Sequence, residues 1–115
     1  IGVEPTGAPT HHAARAAGHL VVLDKIETAA GTLAPCSSAA LNFELISKNV
    51  DTLVLVSDAE MRSAAEWLWE ETGLSAELSG AAAQAALLSG KVSVPPGGTV
   101  AVIVCGAGTD GLPAV

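Results

Sequence analysis

The chain has 115 residues, half of them apolar, and a formal charge of −7 from 12 acidic and five basic side chains. So few cations exclude the basic patch that binds nucleic-acid phosphates, and they also disfavour an anionic membrane surface. The apolar content is too high for a disordered chain, and the length suits one domain, or a piece of one, over residues 1–115.

The two cysteines, Cys36 and Cys105, lie far apart without a CxxC pair, so neither a zinc site nor a disulfide framework is indicated. Free thiols are typical of the cytoplasm, where we expect the protein to act. No apolar run reaches the ~18 residues that span a bilayer, and no signal peptide is visible. The chain begins at Ile1 with what resembles the end of a strand. We therefore expect an N-terminal region before Ile1, with a processed start as the alternative.

The start of the chain predicts short elements. Residues 1–4 are an apolar strand end, and a loop rich in glycine and proline follows. Thr10 can cap a helix over residues 11–17 that ends at Gly18. The apolar run at residues 20–23 is long enough for a further short strand.

Residues 26–38 are rich in small and hydroxyl side chains, and they predict a short helical turn followed by a loop. Ser38 can cap a second helix over residues 39–48. The apolar spacing predicts that this helix buries Leu41, Leu45 and Ile46.

The most regular pattern lies in the middle of the chain. Residues 53–56 are a continuous apolar run, typical of a strand buried on both faces in a parallel sheet. Ser57 and Glu60 then form a capping box, which begins a helix that Gly73 ends. Four of its residues are expected in the core: Met61, Ala64, Ala65 and Leu68.

The next predicted element is a helix of small residues that begins at Leu78 or Ser79 and ends at Leu88. A loop over residues 92–98 follows, and the apolar run at residues 99–105 predicts a second buried strand. Since helices alternate with continuous apolar strands, we predict an α/β fold with a mainly parallel open sheet and flanking helices. The glycine turn at residues 106–108 follows the strand's carboxyl end, where ligands bind in open α/β sheets. As a bare pattern it also fits a plain turn.

Residues 102–106, Val-Ile-Val-Cys-Gly, are similar to the strand-to-loop segment near the C-terminus of the serine/threonine dehydratases. These are fold type II, tryptophan synthase beta-like enzymes that depend on pyridoxal phosphate (PLP). The resemblance implies that Cys105 hydrogen-bonds the pyridine nitrogen of PLP and that Gly106 lines the ring. The chain departs from the family just afterwards, with Gly-Ala-Gly in place of Gly-Gly-Asn or Gly-Gly-Ser. Without the resemblance, Cys105 is predicted to be a small buried hydrophobe.

Residues 76–83 resemble the family's helix start, and Glu77 matches a glutamate that lies near the cofactor ring. Leu78 replaces the usual proline. From its charge alone, Glu77 is a favourable acid at a helix N-terminus.

Residues 1–5 resemble the strand end that follows the family's phosphate-binding tetraglycine loop. The resemblance implies a cation site made of the Glu4 carboxylate, the Ala8 carbonyl and the Thr10 side chain. Oxygen ligands suit a Mg, Ca or K ion. The neutral Thr10 stands where the family often has Asp, which should weaken the site. The alternative for Glu4 is a plain surface carboxylate.

Weaker matches at residues 26–43 and 54–60 extend the resemblance over nearly the whole chain. The family's Schiff-base lysine, Ser-x-Gly-Asn loop and tetraglycine loop would lie before residue 1. Three lysines are present, all expected to be surface charges that match no family motif: Lys25, Lys48 and Lys91. The three histidines, His11, His12 and His19, are expected at the surface or partly buried.

The resemblance therefore implies that residues 1–115 are the C-terminal segment of the large domain of a PLP-dependent L-serine/L-threonine dehydratase. This enzyme is an ammonia-lyase of amino-acid metabolism, and the segment would hold no catalytic residue of its own. Its partners would be the parent's amino-acid substrate and either the missing N-terminal half or a second copy, bound through exposed apolar surface. The alternative is a self-standing, non-catalytic α/β domain that binds a small ligand or a partner protein. A nucleotide-binding module would need a complete phosphate loop, which the sequence lacks.

Overall fold

The computed structural model describes residues 1–113. Within them lie two strands and four α-helices, in the order β1 (Gly2–Pro5), α1 (Thr10–Ala17), α2 (Ala40–Asn49), β2 (Leu53–Val56), α3 (Asp58–Thr72) and α4 (Ala82–Leu88). Two 3-10 turns, Gly31–Leu33 and Ser79–Ala81, precede α2 and α4. None of these helices combines the length and the apolar character that crossing a membrane requires.

The two strands lie side by side and run parallel, with Gly2 opposite Leu53 and Pro5 opposite Val56. Parallel strands need a long crossover connection, and α1 and α2 lie in that connection. The predicted α/β fold with a parallel sheet is confirmed, as are the helical turn within residues 26–38 and the helix over residues 79–88.

The core forms where α4 packs against both strands and against α3. The predicted core residues of α3 are confirmed, since Met61, Ala64, Ala65 and Leu68 are all buried. Most of the remaining core residues are alanines, whose small side chains let the two helices approach closely. Val56 brings the end of β2 into the same cluster.

Helix α3 begins and ends as predicted. The Ser57 side chain accepts from the Glu60 N–H at 3.2 Å, and the Glu60 carboxylate accepts from the Ser57 N–H at 2.7 Å. Gly73 ends the helix in the left-handed region, with a φ of 72°. Two N–H donors at the start of the helix are thus paired locally, which explains why this element could be predicted from sequence.

Helix α1 ends at Gly18, as predicted, with a φ of 77°. Its Arg15 reaches the C-terminal end of α2, where the guanidinium donates to the carbonyls of Ile46 at 2.9 Å and Val50 at 2.6 Å. A cation there satisfies the unpaired carbonyls and opposes the negative end of the helix dipole. This contact joins the two helices on the crossover.

The predicted buried face of α2 is wrong. Leu41 is 64% exposed, Leu45 is 49% exposed, and no residue of α2 is buried. The spacing identifies an apolar side, but burial also needs an opposing surface, and the main neighbour of α2 among the described residues is α1. The predicted cap also differs, because the N-cap is Ala39 and not Ser38.

No strand forms at residues 20–23 or 99–105, so both of these predictions are wrong for the described chain. A strand is defined by a paired backbone, and β1 and β2 pair only with each other. Exposure alternates along the second segment, with Val102 and Val104 partly buried and Ile103 74% exposed. That alternation is typical of an extended chain with one side against the core, because successive side chains point to opposite faces.

Candidate functional site

Residues 75–77 and the glycine turn at residues 106–108 lie side by side and form a short antiparallel ladder. Ser75 Oγ donates to the Gly108 carbonyl at 2.6 Å, and the Gly108 N–H donates to the Ser75 carbonyl at 3.1 Å. The Glu77 N–H donates to the Gly106 carbonyl at 3.2 Å. An antiparallel bridge lies between these bonds. The ladder therefore fixes Glu77 beside Gly106, two residues that are far apart in sequence.

Residue 106 has no room for a side chain. A Cβ added to Gly106 would lie 2.1 Å from Glu77 Oε1, and one added to Gly80 would lie 2.4 Å from the Gly106 carbonyl oxygen. Both distances are far below van der Waals contact. The two glycines let the Glu77 carboxylate and the turn before α4 pack directly on the backbone at residue 106.

Cys105 lies next to this contact, and its thiol is exposed and free. The prediction of Cys105 as a buried hydrophobe is therefore wrong in this structure. The same carboxylate accepts a hydrogen bond from the Thr32 hydroxyl, which lies 3.3 Å from Glu77 Oε1. Three distant parts of the sequence thus meet around one carboxylate: the turn at Gly31–Leu33, the start of the α4 region, and the C-terminal glycine turn.

Asp58, the first residue of α3, has a role that the sequence analysis missed. Its Oδ1 accepts from the Thr28 hydroxyl at 2.5 Å and its Oδ2 accepts from the Ala29 N–H at 2.6 Å. The carboxylate thereby anchors the loop that carries Thr32. Its position just beyond the carboxyl end of a parallel strand, where polar site residues gather, was the available signal.

The predicted cation ligands lie at the carboxyl end of β1 and at the start of α1. Both oxygens of the Glu4 carboxylate accept backbone N–H groups at the start of α1, from His11 at 2.8 Å and from His12 at 2.7 Å. A carboxylate at this end of a helix meets unpaired N–H donors and the positive end of the helix dipole. Glu4 is therefore more than a plain surface carboxylate, because it organises the start of α1.

The other two candidate ligands follow closely. The Ala8 carbonyl accepts from the Thr10 N–H at 3.0 Å, and the Thr10 hydroxyl donates to the Pro35 carbonyl at 2.6 Å. Thr10 is the first residue of α1 and not its cap, which is Pro9. Residues 1–113 hold no cluster of three or more His, Cys, Asp or Glu side chains suited to a metal. The oxygen-rich set predicted from sequence has one such side chain and stays a prediction.

Each lysine forms an ion pair with a glutamate: Lys25 with Glu27 at 2.5 Å, Lys48 with Glu44 at 2.6 Å, and Lys91 with Glu60 at 2.7 Å. The bond from Lys91, followed by the Ser57 N–H, lowers the pKa of Glu60 below its ordinary value. The Glu77 carboxylate forms no ion pair among residues 1–113.

The model of the family described as pyridoxal-phosphate dependent enzymes matches residues 1–106 of the chain. The chain belongs to this family. Among its relatives, it is 37% identical over 110 residues to the phenylserine dehydratase of Ralstonia pickettii, a match that covers 96% of this chain and 34% of the relative. It is 36% identical over 103 residues to an L-threonine ammonia-lyase of Geobacter sulfurreducens, covering 90% of this chain and 26% of the relative.

Solved structures agree with this assignment. The L-serine ammonia-lyase of Rhizomucor miehei superposes with a TM-score of 0.80 at 25% identity, over 93% of this chain and 36% of that one. The processed form of threonine deaminase isoform 2 from Solanum lycopersicum gives a TM-score of 0.72 at 29% identity, over 81% of this chain and 28% of that one. The predicted relationship to fold type II PLP enzymes is confirmed. The chain spans about a third or less of the length of the two relatives matched by sequence.

Proposed function

We propose that these residues form the cofactor-ring side of a PLP-dependent L-serine or L-threonine dehydratase, an ammonia-lyase that converts its substrate to a 2-oxo acid and ammonia by β-elimination. The observation that carries this function is the contact between Glu77 and Gly106 beside the exposed Cys105 thiol. It lies within a chain whose family is PLP-dependent. Its named relatives are a phenylserine dehydratase and an L-threonine ammonia-lyase.

The chemical groups around Gly106 suit the pyridine ring of PLP. Cys105 offers a free, exposed S–H group, a weak hydrogen-bonding partner suited to a pyridine nitrogen. A thiol there leaves the ring nitrogen largely unprotonated, whereas a carboxylate would favour its protonation. When bound, PLP supplies an electron sink for bond breaking in an amino-acid substrate. In this proposal Gly106 lines the ring, and Glu77 borders it without contributing a covalent bond.

The same residues do not supply a covalent anchor for the cofactor. The lysines lie in ion pairs with glutamates, and none belongs to the Glu77, Cys105 and Gly106 group. PLP enzymes hold the cofactor through a lysine Schiff base. We therefore propose that residues 1–115 do not turn over L-serine or L-threonine alone. A 2-oxo acid assay on the isolated chain with added PLP tests this, and turnover would contradict it.

The ring contact is tested in the full-length protein that carries this segment. Cys105→Ala should weaken cofactor binding and lower kcat, because the ring nitrogen loses its partner. Cys36→Ala is the matched control, since Cys36 is also a free and exposed thiol. Equal effects of the two substitutions on the cofactor's absorbance spectrum and on turnover would contradict the assigned role of Cys105.

The cation site is proposed on the oxygen atoms described above. The Thr10 hydroxyl lies within hydrogen-bond distance of the Pro35 carbonyl, and the Ala8 carbonyl lies within the same turn. Oxygen donors with one carboxylate suit K⁺ or a weakly held divalent ion. Calorimetric titration of the full-length protein with K⁺, Mg²⁺ and Ca²⁺, against Glu4→Gln, measures it directly. Equal heats from the wild type and the variant would contradict the site.

We further propose that another strand completes the sheet. A cavity of about 310 Å³ separates Val3 of β1 from the unpaired segment at residues 99–102, and side chains of α4 line it. Ile103 and Val100 are exposed beside it. Two-stranded sheets are seldom stable alone. Because the chain spans 34% and 26% of its two relatives, the proposed occupant is an apolar strand from the remainder of the parent protein, not a second copy.

The competing function is a self-standing α/β domain that binds a small ligand or a partner protein. Such a domain should elute as a clean monomer or dimer and bind no hydrophobic dye, whereas an incomplete sheet should associate and bind dye. The exposed Ile103 favours the incomplete sheet. Two free exposed thiols support the cytoplasm as the proposed location.

A further inference from the structure

The loop between Thr28 and Leu33 is tied to the carboxyl end of β2 by one carboxylate. Both oxygens of Asp58 accept hydrogen bonds from it, one from the Thr28 hydroxyl at 2.5 Å and one from the Ala29 N–H at 2.6 Å. The Ala30 N–H then donates to Thr28 Oγ1 at 3.1 Å. Because both of its carboxylate oxygens accept hydrogen bonds from the loop, Asp58 is the principal polar anchor of this loop.

The anchored loop leaves one polar side chain facing outward. Ala30 is fully buried and Leu33 packs against the core, so the residues on either side of the turn are held by apolar contacts. Thr32 between them is exposed, and its hydroxyl donates to Glu77 Oε1 at 3.3 Å. Among residues 1–113, this is the only side-chain hydrogen bond to the Glu77 carboxylate.

The orientation of Glu77 matters because its Oε1 lies against Gly106, next to Cys105. We propose, on the basis of the cofactor site proposed above, that Thr32 and Asp58 are positioning residues: Asp58 fixes the loop, and Thr32 holds the Glu77 carboxylate against Gly106. Without the Thr32 hydroxyl, Glu77 would keep its backbone bond to Gly106, but its carboxylate would be free to rotate toward solvent. The Glu77 carboxylate, which borders the proposed cofactor ring, would then lose its fixed orientation.

The role of Thr32 is tested in the full-length protein with Thr32→Val, which keeps the shape of the side chain and removes the donor. Thr32→Ser is the matched control, because it keeps the hydroxyl. We expect Thr32→Val to shift the absorbance band of bound PLP and to lower kcat about two- to tenfold, the change that one hydrogen bond supports. Thr32→Ser should restore most of both properties, and the melting temperature should remain similar in the two variants.

The role of Asp58 is tested by hydrogen exchange on the same protein. Asp58→Asn should raise the exchange rate of the amides of residues 29–33, because both loop bonds to the carboxylate weaken. Asp24→Asn, at an exposed position, should leave these rates unchanged. Faster exchange together with an altered PLP spectrum would support a positioning role for Asp58.

Several results would overturn this inference. An unchanged spectrum and kcat in Thr32→Val would remove the role of Thr32, and an equal loss in Thr32→Ser would show that the hydroxyl is not the cause. Unchanged amide exchange in Asp58→Asn would remove the role of Asp58. If the wild-type protein takes up no PLP, the proposed function itself is wrong. If the wild type binds PLP but the variants match it in spectrum, kcat and amide exchange, only the positioning roles are contradicted.

Discussion

The Glu77 carboxylate lies so close to Gly106 that a methyl group on residue 106 would come within 2.1 Å of Glu77 Oε1. The ladder through the Gly106 carbonyl holds the two residues in this contact. The proposed cofactor ring would therefore meet the backbone at Gly106 without an intervening side chain, near the Glu77 carboxylate and the exposed Cys105 thiol. This contact gives rise to the first of four predictions.

Gly106→Ala should force Glu77 away from its present position. Overpacking of this kind costs about 1–3 kcal/mol, so we expect a lower free energy of unfolding in urea. Gly31→Ala is the control, because a Cβ at residue 31 would meet nothing within 4 Å and its backbone is not left-handed. Equal stabilities for the two variants would show that Glu77 moves aside without cost.

Leu78→Ala and Leu41→Ala should differ strongly although they remove the same atoms. Leu78 is 2% exposed in the core, whereas Leu41 on α2 is 64% exposed. We expect a loss of about 2–5 kcal/mol for the first and less than about 0.5 kcal/mol for the second. Denaturant unfolding of the full-length protein that carries this segment measures both. A large loss for Leu41→Ala would mean that α2 is covered by a partner under the conditions of the assay.

The capping box predicts a measurable effect at Ser57. Ser57→Ala removes the oxygen that accepts the Glu60 N–H at 3.2 Å, and loss of an N-cap typically costs about 0.5–2 kcal/mol. Ser63→Ala, at an exposed position within the same helix, should change stability little. Thermal unfolding followed by circular dichroism compares them. Similar melting temperatures for the two variants would be inconsistent with a stabilising cap.

Stability should fall in acid partly through Glu60. Its pKa is lowered in the folded state, first by the bond from Lys91 and then by the Ser57 N–H. A lowered folded-state pKa means that the stabilising contribution is complete above the ordinary carboxylate pKa and is lost as pH falls through the lower folded value. Glu60→Gln should therefore flatten the stability profile below about pH 4.5, where glutamate ordinarily titrates. A plot of stability against pH for Glu60→Gln that runs parallel to that of the wild type would contradict this contribution of Glu60.

Much of the fold could be predicted because its causes are local. The capping box at Ser57 and Glu60, the apolar run of β2 and the glycine after α3 each act on residues adjacent to them in sequence. The structure reproduced each of them. The apolar side of α2 was also identified correctly as a pattern, but Leu41 remains exposed, since periodicity does not supply the surface that would cover it.

The candidate site, like the fold, was partly predictable from the sequence and partly decided by the tertiary structure. The sequence by itself determined the family resemblance, the acid at Glu77 and the cysteine beside a glycine turn, because residue types and their order carry these. Only the tertiary structure decided that Glu77 lies against Gly106 and that Asp58 anchors the Thr32 loop. It also decided that residues 99–105 remain unpaired. The reason is physical: a long-range hydrogen bond or strand pairing depends on a partner distant in sequence, and no local pattern specifies where that partner will lie.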